Sequence, residues 1–298
     1  MQANSMVQHA DRQADDERTE DQLRRQLHRM WAEVAGGWAE HAEDVDARSA
    51  QLTQRMLALS TPRRGERVLD LACGPGGAGL AAAELVGPGG EVVLSDIAAG
   101  MTAIASERAA ARGLNNVTAR VLDLEQIDEP DGAYDVVLCR EGLMLVPDPA
   151  RATREIRRVL RTSGRVALAV WGPRERNPWL SVMFDAISAQ LGCPVPPTGV
   201  PGPFSLENAE ELGALLGDAK LFEVAVTELS VPLQVGSFEE WWTTRCALAG
   251  PLTKILASLP AEVQSAIRAR AEDAAGPFET REGLEFPGVA LLASGRHP

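Results

Sequence analysis

VLDLACGPGGAG, residues 68–79, runs an apolar stretch into a literal G-x-G-x-x-G at Gly74, Gly76 and Gly79. Glycines at this spacing let the backbone turn tightly and approach a bound nucleotide where a helix begins. Enzymes that use NAD and enzymes that use S-adenosylmethionine share this turn, and the glycines alone do not separate them.

Outward from the turn, short apolar strands alternate with helical periods. RVLDLA (67–72) reads as a strand, Gly77 to Val86 as a helix, EVVLSD (91–96) as a strand and Ala98 to Arg112 as a helix. VTARVL (117–122) and YDVVLCR (134–140) are strands, Ala150 to Leu160 is a helix and RVALAVW (165–171) is a strand. LFEVAVTELSV (221–231) and FPGVALLAS (286–294) supply the sixth and seventh strands. This grammar predicts an α/β fold, a doubly wound, Rossmann-like seven-stranded sheet with ligands at the carboxyl ends of its strands. Residues 1–20 read as a disordered tail and 21–60 as an N-terminal helical cap, with a break at Gly36-Gly37. The nucleotide-binding core is expected over 61–172 and 206–231, closed by a last strand in 284–298. Residues 173–205 and 232–283 are read as cap insertions after strands five and six, with a helix from Pro178 to Leu191, another near Leu206 to Leu216, and a wholly helical Ser237 to Ala275.

Composition narrows the function. The chain has 298 residues, 45% of them apolar, and a net charge of −13 without clustered basic residues, which argues against a phosphate-backbone partner. Only Lys220 and Lys254 of the 29 basic residues are lysines, which suggests a GC-rich bacterial coding sequence. Cys73, Cys139, Cys193 and Cys246 are widely spaced and fit a reduced, cytoplasmic protein. No segment reads as a signal peptide or a membrane span, and no metal-ligand spacing is present. A soluble monomer or homodimer acting on a small molecule is expected, with no metal, membrane or nucleic acid.

Three acids bear on which nucleotide is held. Asp70 interrupts the first strand four residues before Gly74, where a buried carboxylate is costly unless satisfied. The cationic methionine end of S-adenosylmethionine would satisfy it, and so would nearby backbone N–H groups. Asp96 ends the second strand, beside the place of ribose hydroxyls, and Asp123 follows the third, near an adenine amino group. Singly, each of these two reads more readily as a helix cap or turn residue than as a ligand. Together they favour an adenosine.

With these motifs in hand, the chain resembles the class I S-adenosylmethionine-dependent methyltransferases, nearest the ubiquinone/menaquinone-type small-molecule group. VLDLACGPGG, LSDIAAGM, VLDLEQI, YDVVLCREGLMLVPDP and REIRRVLRTSGRVALAVWG carry the resemblance, over about Val68 to Trp171. It implies S-adenosylmethionine as cofactor and an antiparallel last strand. Gly74 and Gly76 would admit the methionine portion, Asp96 bind ribose, Met101 pack on adenine and Asp123 with Leu124 hold its edge, with Asp70, Ala72, Ile97 and Arg140 in the same site. The chain departs from the family at Thr162-Ser163, where Pro-Gly is common, near Lys220, where glycine is frequent, and at Glu141, where an apolar residue is usual.

Methyl transfer from a sulfonium needs an aligned nucleophile, excluded water and, for some substrates, a base. Glu141, just after the fourth strand, is the first candidate to take a proton or orient the substrate; its plainer reading is a loop acid. Arg140 is read as neutralising Glu141 or binding an acidic substrate group. His28 and His41, on the N-terminal helices, are alternative bases or simple packing residues. All six tryptophans lie outside the 68–170 core elements. Trp31, Trp38, Trp171, Trp179, Trp241 and Trp242, with Met183, are expected to pack the cap and to line a pocket for an apolar or aromatic metabolite. The expected activity is therefore methylation of a small molecule at O, N or C. The other readings are a methyltransferase fold that binds the cofactor as a scaffold or non-methylating catalyst, and, more distantly, an NAD-dependent oxidoreductase.

Overall fold

Strand β1 (Arg67–Leu71) lies in the middle of a seven-stranded sheet, and its residues from Val68 onward are buried. This is a computed structural model, and it describes residues 22–250 and 252–298. The amino-terminal tail expected from sequence lies outside them. β1 pairs in parallel with β2 (Glu91–Asp96) and β4 (Tyr134–Arg140); β3 (Val117–Val121) and β5 (Leu160–Trp171) extend the sheet on either side. β6 (Phe222–Ser230) forms the far edge, beyond a long final strand, Val289–Arg296, that runs antiparallel to both β5 and β6. The strand order reverses between β1 and β4, so right-handed crossovers set the connecting helices on opposite faces and leave a crevice at that point. Near-continuous apolar strands are what a sheet covered on both faces requires.

The helices follow the expected grammar, with local corrections. The first helix covers 22–32 (α1), and the chain breaks at 33–34; Gly36 and Gly37 lie inside α2 (Ala35–Glu40). Gly37 serves packing, since a Cβ there would sit 2.7 Å from the Ala247 carbonyl oxygen, whereas a Cβ on Gly36 would meet nothing within 4 Å. After α3 (Ala42–Arg48), α4 (Ala50–Ser60) belongs to the core, because Leu52 and Met56 are buried against the sheet. The N-terminal cap therefore ends near residue 48 and not at 60. Helices α5 (Gly77–Val86), α6 (Ala99–Ala111), α7 (Pro149–Val159) and α8 (Pro178–Leu191) form where their periodicity places them. α9 spans Ala209–Asp218 and starts later than expected, because Asn208 caps it by accepting from the Glu210 and Glu211 N–H groups.

The insertion after β6 is not wholly outside the sheet grammar. β7 (Leu233–Val235), β8 (Glu279–Thr280) and β9 (Gly283–Phe286) form a separate three-stranded sheet around α10 (Phe238–Leu248), α11 (Leu252–Ser258) and α12 (Ala261–Ala275). Phe286 thus ends β9, and the final strand, β10, begins at Val289, after Pro287 and Gly288 interrupt the run. Proline has no N–H for a ladder, which is why an apolar stretch that reads as one strand divides into two. α8 packs against α12, tying the two insertions together.

Candidate functional site

The turn after β1 is built from left-handed backbone: φ is +49° at Ala72, +51° at Gly74 and +93° at Gly76. A Cβ added at Gly74 would meet no protein atom within 4 Å, because that position faces an open cavity. Gly79 works differently, since a Cβ there would lie 2.1 Å from Leu94 Cδ2 and 2.8 Å from Asp70 Oδ2. Its closeness lets the Gly79 N–H donate to Asp70 Oδ2 at 2.7 Å. Asp70 is 1% exposed, and its other oxygen, Oδ1, has no partner in the structure. Burial pushes its carboxyl up to about 7, against the opposing pull of Arg140 and the Gly79 N–H. Half of the carboxylate is satisfied by backbone, and half awaits a donor.

The cavity beside this turn encloses about 950 Å³, including its open mouth. Ala72, Gly74, Asp96, Ile97, Met101, Asp123, Leu124 and Arg140 all line it; Asp70 and Gly76 lie behind the wall. Asp96 accepts from the Gly74 N–H and the Ala98 N–H, each at 3.0 Å, and burial raises its carboxyl above the usual range. A carboxylate has about four lone-pair positions, so these two bonds leave acceptors for a diol. Met101, Ile97, Leu122 and Leu124 line the same cavity as Asp96 and Asp123 and give it apolar surface beside the two carboxylates.

A second cavity, about 1140 Å³ with its opening, adjoins the first. The two share Leu27, Trp31, Trp38, Glu141 and Leu145. Trp171, Trp179, Phe184 and the proline-rich loop from Val195 to Pro203 make it strongly apolar. Glu141 stands between the cavities in left-handed backbone, φ +62°, pinned by its N–H donating to the Ala169 carbonyl at 2.7 Å. Its Oε2 is 3.7 Å from Arg48 Nη2, while Oε1 is buried without a hydrogen-bond partner.

Other expected residues fall elsewhere. His41 lines neither cavity; it sits between α2 and α3 with Nδ1 3.2 Å from Asp44 Oδ2. His28 lies in the first cavity, with Nε2 3.6 Å from Asp123 Oδ2 and its pKa lowered by burial, at the adenosine end and away from the second cavity. Neither is placed as a base for a substrate there. Met183 and Trp241 are wholly buried in the core, Trp241 donating its indole N–H to the Trp179 carbonyl, and Trp242 stacks on Phe238; none of the three lines a cavity. Arg140 does not neutralise Glu141. Its guanidinium donates to Thr53 Oγ1 at 2.8 Å and lies 3.5 Å from Asp46 Oδ1, latching the N-terminal helices to the glycine turn. Arg48 takes the place beside Glu141.

Sequence reading missed Asp46, Arg48, Glu125 and Arg245. Asp46 also accepts from Arg108 at 2.6 Å, and Arg108 reaches the Pro75 carbonyl in the glycine turn. Glu125, 1% exposed, accepts from Arg24 of α1 and from the Asp148 N–H, holding α1 over the adenosine end. These residues carry no local motif, because each partner comes from a distant segment.

Comparison with known proteins agrees with the geometry. The family described as a methyltransferase domain matches residues 62–178. The chain is 40% identical over 117 residues to nocamycin O-methyltransferase from Saccharothrix syringae, covering 39% of this chain and 42% of that one. It is 37% identical over 136 residues to the ubiquinone/menaquinone biosynthesis C-methyltransferase UbiE from Pseudomonas aeruginosa, covering 45% and 53% respectively. The matched region thus spans about half the length of these curated relatives. Among solved structures, the YcgJ protein of Bacillus subtilis aligns with a TM-score of 0.58 at 21% identity, covering 82% of this chain and 97% of that one. That likeness is one of fold. Residues 62–178 thus match a methyltransferase domain, and the likeness to these relatives supports a methyltransferase of the class I S-adenosylmethionine-dependent kind.

Proposed function

We propose that the protein transfers a methyl group from S-adenosylmethionine to a small apolar or aromatic metabolite held in the second cavity. The observation that carries this reading is the pair of adjoining cavities, one polar at its ends and shaped for an adenosine, the other lined by tryptophans, which meet at Glu141. Asp96, Asp123, Met101 and the glycine turn would hold the cofactor, with the unpaired Asp70 oxygen toward its ammonium. When bound, S-adenosylmethionine supplies an electrophilic methyl group on a sulfonium. The protein's own contribution is positional: Trp31 and Trp38 close both cavities against water, and Trp171 and Trp179 hold a ring-bearing substrate. Glu141 Oε1, unpaired and fixed at the junction, accepts a proton from the substrate or orients it by a hydrogen bond. The names of the relatives, nocamycin and ubiquinone/menaquinone methyltransferases, support a small-molecule substrate without choosing its atom.

Calorimetry on the full chain tests the cofactor directly. S-adenosylmethionine and S-adenosylhomocysteine bind and NAD does not; preference for NAD would overturn the reading. Methyl-labelled cofactor should then pass label to members of a panel of hydroxylated aromatic compounds and quinols. Cofactor binding with no transfer to any class of acceptor would favour the scaffold or non-methylating alternative.

A further inference from the structure

Two arginines stand in the wall of the apolar cavity, and the cofactor has no use for either. Arg48 comes from α3 and Arg245 from α10, yet both guanidiniums face one ring, at 4.6 and 5.4 Å from the Trp179 centroid. Arg48 also lies 5.0 Å over Trp171, which meets Trp179 edge to face. Arg245 is only 7% exposed. Among the described residues no carboxylate lies within 4 Å of it, and its Nε has no hydrogen-bond partner; the Nε of Arg48 has none either. Glu141 lies 3.7 Å from Arg48, while Glu141 and Asp44 act on Arg245 only from beyond ion-pair distance.

Burying a guanidinium beside a second one is expensive, and aromatic faces return only part of the cost. The strain is visible in Arg245, whose pKa falls to about 9 through burial and the nearby Arg48. Stability alone would favour a leucine or methionine at such a place. An arginine kept there with unused N–H donors, in a cavity otherwise built for rings, is arranged to receive an anion, and a planar guanidinium matches a planar carboxylate best.

We propose that Arg245, with Arg48, forms a carboxylate-binding subsite, so that the substrate is a ring-bearing carboxylic acid whose acid group is held against Trp179. This rests on the second cavity being the substrate site, and it narrows the substrate class from apolar to amphipathic and anionic. The Glu141 carboxylate then faces the rest of the substrate and not its acid group, because Arg48 stands between the two charges.

The test compares 2-naphthoate with the neutral, nearly isosteric 2-naphthamide, titrated calorimetrically into the full chain saturated with S-adenosylhomocysteine. Naphthoate should bind at least about tenfold tighter, in keeping with a charge-assisted bond to a buried partner. Arg245→Gln should bring the two affinities within about twofold of each other, while Arg245→Lys keeps a preference for naphthoate and S-adenosylhomocysteine binds both variants like the parent. Equal affinities in the parent protein, no binding of naphthoate at millimolar concentration, or an undiminished preference in Arg245→Gln would each overturn the subsite. Should Arg245→Gln fail to fold, seen as loss of S-adenosylhomocysteine binding, the parent and Arg245→Lys titrations decide alone. A clear naphthoate preference in a protein that transfers no methyl group would instead leave the subsite standing and sink the methyltransferase reading.

Discussion

The cofactor half of this molecule and its substrate half are built from sequence in opposite ways. The first cavity is furnished mostly by residues 72–147, at and beyond the carboxyl ends of the parallel strands, with Leu27, His28, Trp31, Trp38 and Val45 added from the N-terminal helices. The second draws on α1, α3, the turn after β4, β5, α8, the loop at 195–203, α10 and α11, which span more than two hundred residues. A site at strand ends is positioned by the sheet and inherits its regular spacing. A site under a cap is positioned by how separate helices happen to pack, and helix packing leaves no fixed interval in the chain. The lesson is that a nucleotide site written in motifs and a substrate site written in contacts deserve different experiments.

The sharpest way to break this contrast is at Glu141, the one titratable side chain among the five residues that line both cavities. Glu141→Gln keeps shape and hydrogen-bonding capacity but cannot take up a proton. If Glu141 is the base, turnover falls by roughly a hundredfold or more with S-adenosylmethionine affinity nearly unchanged, and the pH–rate profile loses its acidic limb. If it only orients the substrate, the loss falls mainly on KM. Steady-state kinetics beside calorimetry separates the two. Unchanged kcat and KM would remove Glu141 from the chemistry, and because His28 faces Asp123 and neither His41 nor His297 lines a described cavity, no histidine among the described residues stands ready to replace it.

What was legible follows the same line. The seven strands were readable because strands and helices alternate along the chain and the acids at 70, 96 and 123 recur near strand ends, and the antiparallel last strand was implied by the resemblance; the strand order was not. Trp31, Trp38, Trp171 and Trp179 line the second cavity, whereas Trp241 and Met183 share their chemistry and lie in the core, with Trp242 packed against it. Residue type could not divide them, because a tryptophan reads the same whether it faces a void or a neighbouring ring. Arg48 and Arg245 were illegible for a further reason: an isolated arginine on a helix is ordinarily solvated, and only the fold reveals that these two are buried against one indole.

A middle-sized effect tests the cofactor half by pH. The Asp70 carboxyl titrates at about 7 in the folded protein, well above the value of about 4 expected when unfolded. The folded state therefore binds more protons between those limits, so the stability this group contributes is full below pH about 4, declines as pH rises and is gone once pH has passed about 7. Affinity for the cationic cofactor runs the other way. Between one unit below and one unit above the pKa, the ionised fraction climbs from about a tenth to about nine tenths, and S-adenosylmethionine affinity should rise roughly tenfold. Asp70→Asn should flatten both slopes, read by thermal unfolding without ligand and by calorimetry with it. A slope that survives the substitution would shift the titration to Asp96, whose carboxyl burial also raises.

The smallest effect concerns the family departures that lie outside both cavities. Ser163 and Lys220 take φ of +63° and +64°, left-handed backbone at or near the places where the resemblance implies a glycine. A left-handed non-glycine residue costs on the order of 1–2 kcal/mol, while glycine gives back about 1 kcal/mol through the freedom it loses on folding. Lys220 is exposed in the turn between α9 and β6, where its backbone N–H reaches the Gly217 carbonyl at 2.9 Å. Replacing it by glycine keeps that bond and removes only strain, so Lys220→Gly should stabilise the protein by up to about 1 kcal/mol, measured as a shift in the denaturation midpoint at constant slope. Cofactor affinity and kinetics should not move, because the turn touches neither cavity. A gain in stability with unchanged binding would place this departure in backbone conformation, whereas Glu141, also left-handed at +62°, departs from the family in the place where the two halves meet. Altered binding in Lys220→Gly would show that the β6 edge communicates with the site, and the division between the halves would have to be redrawn.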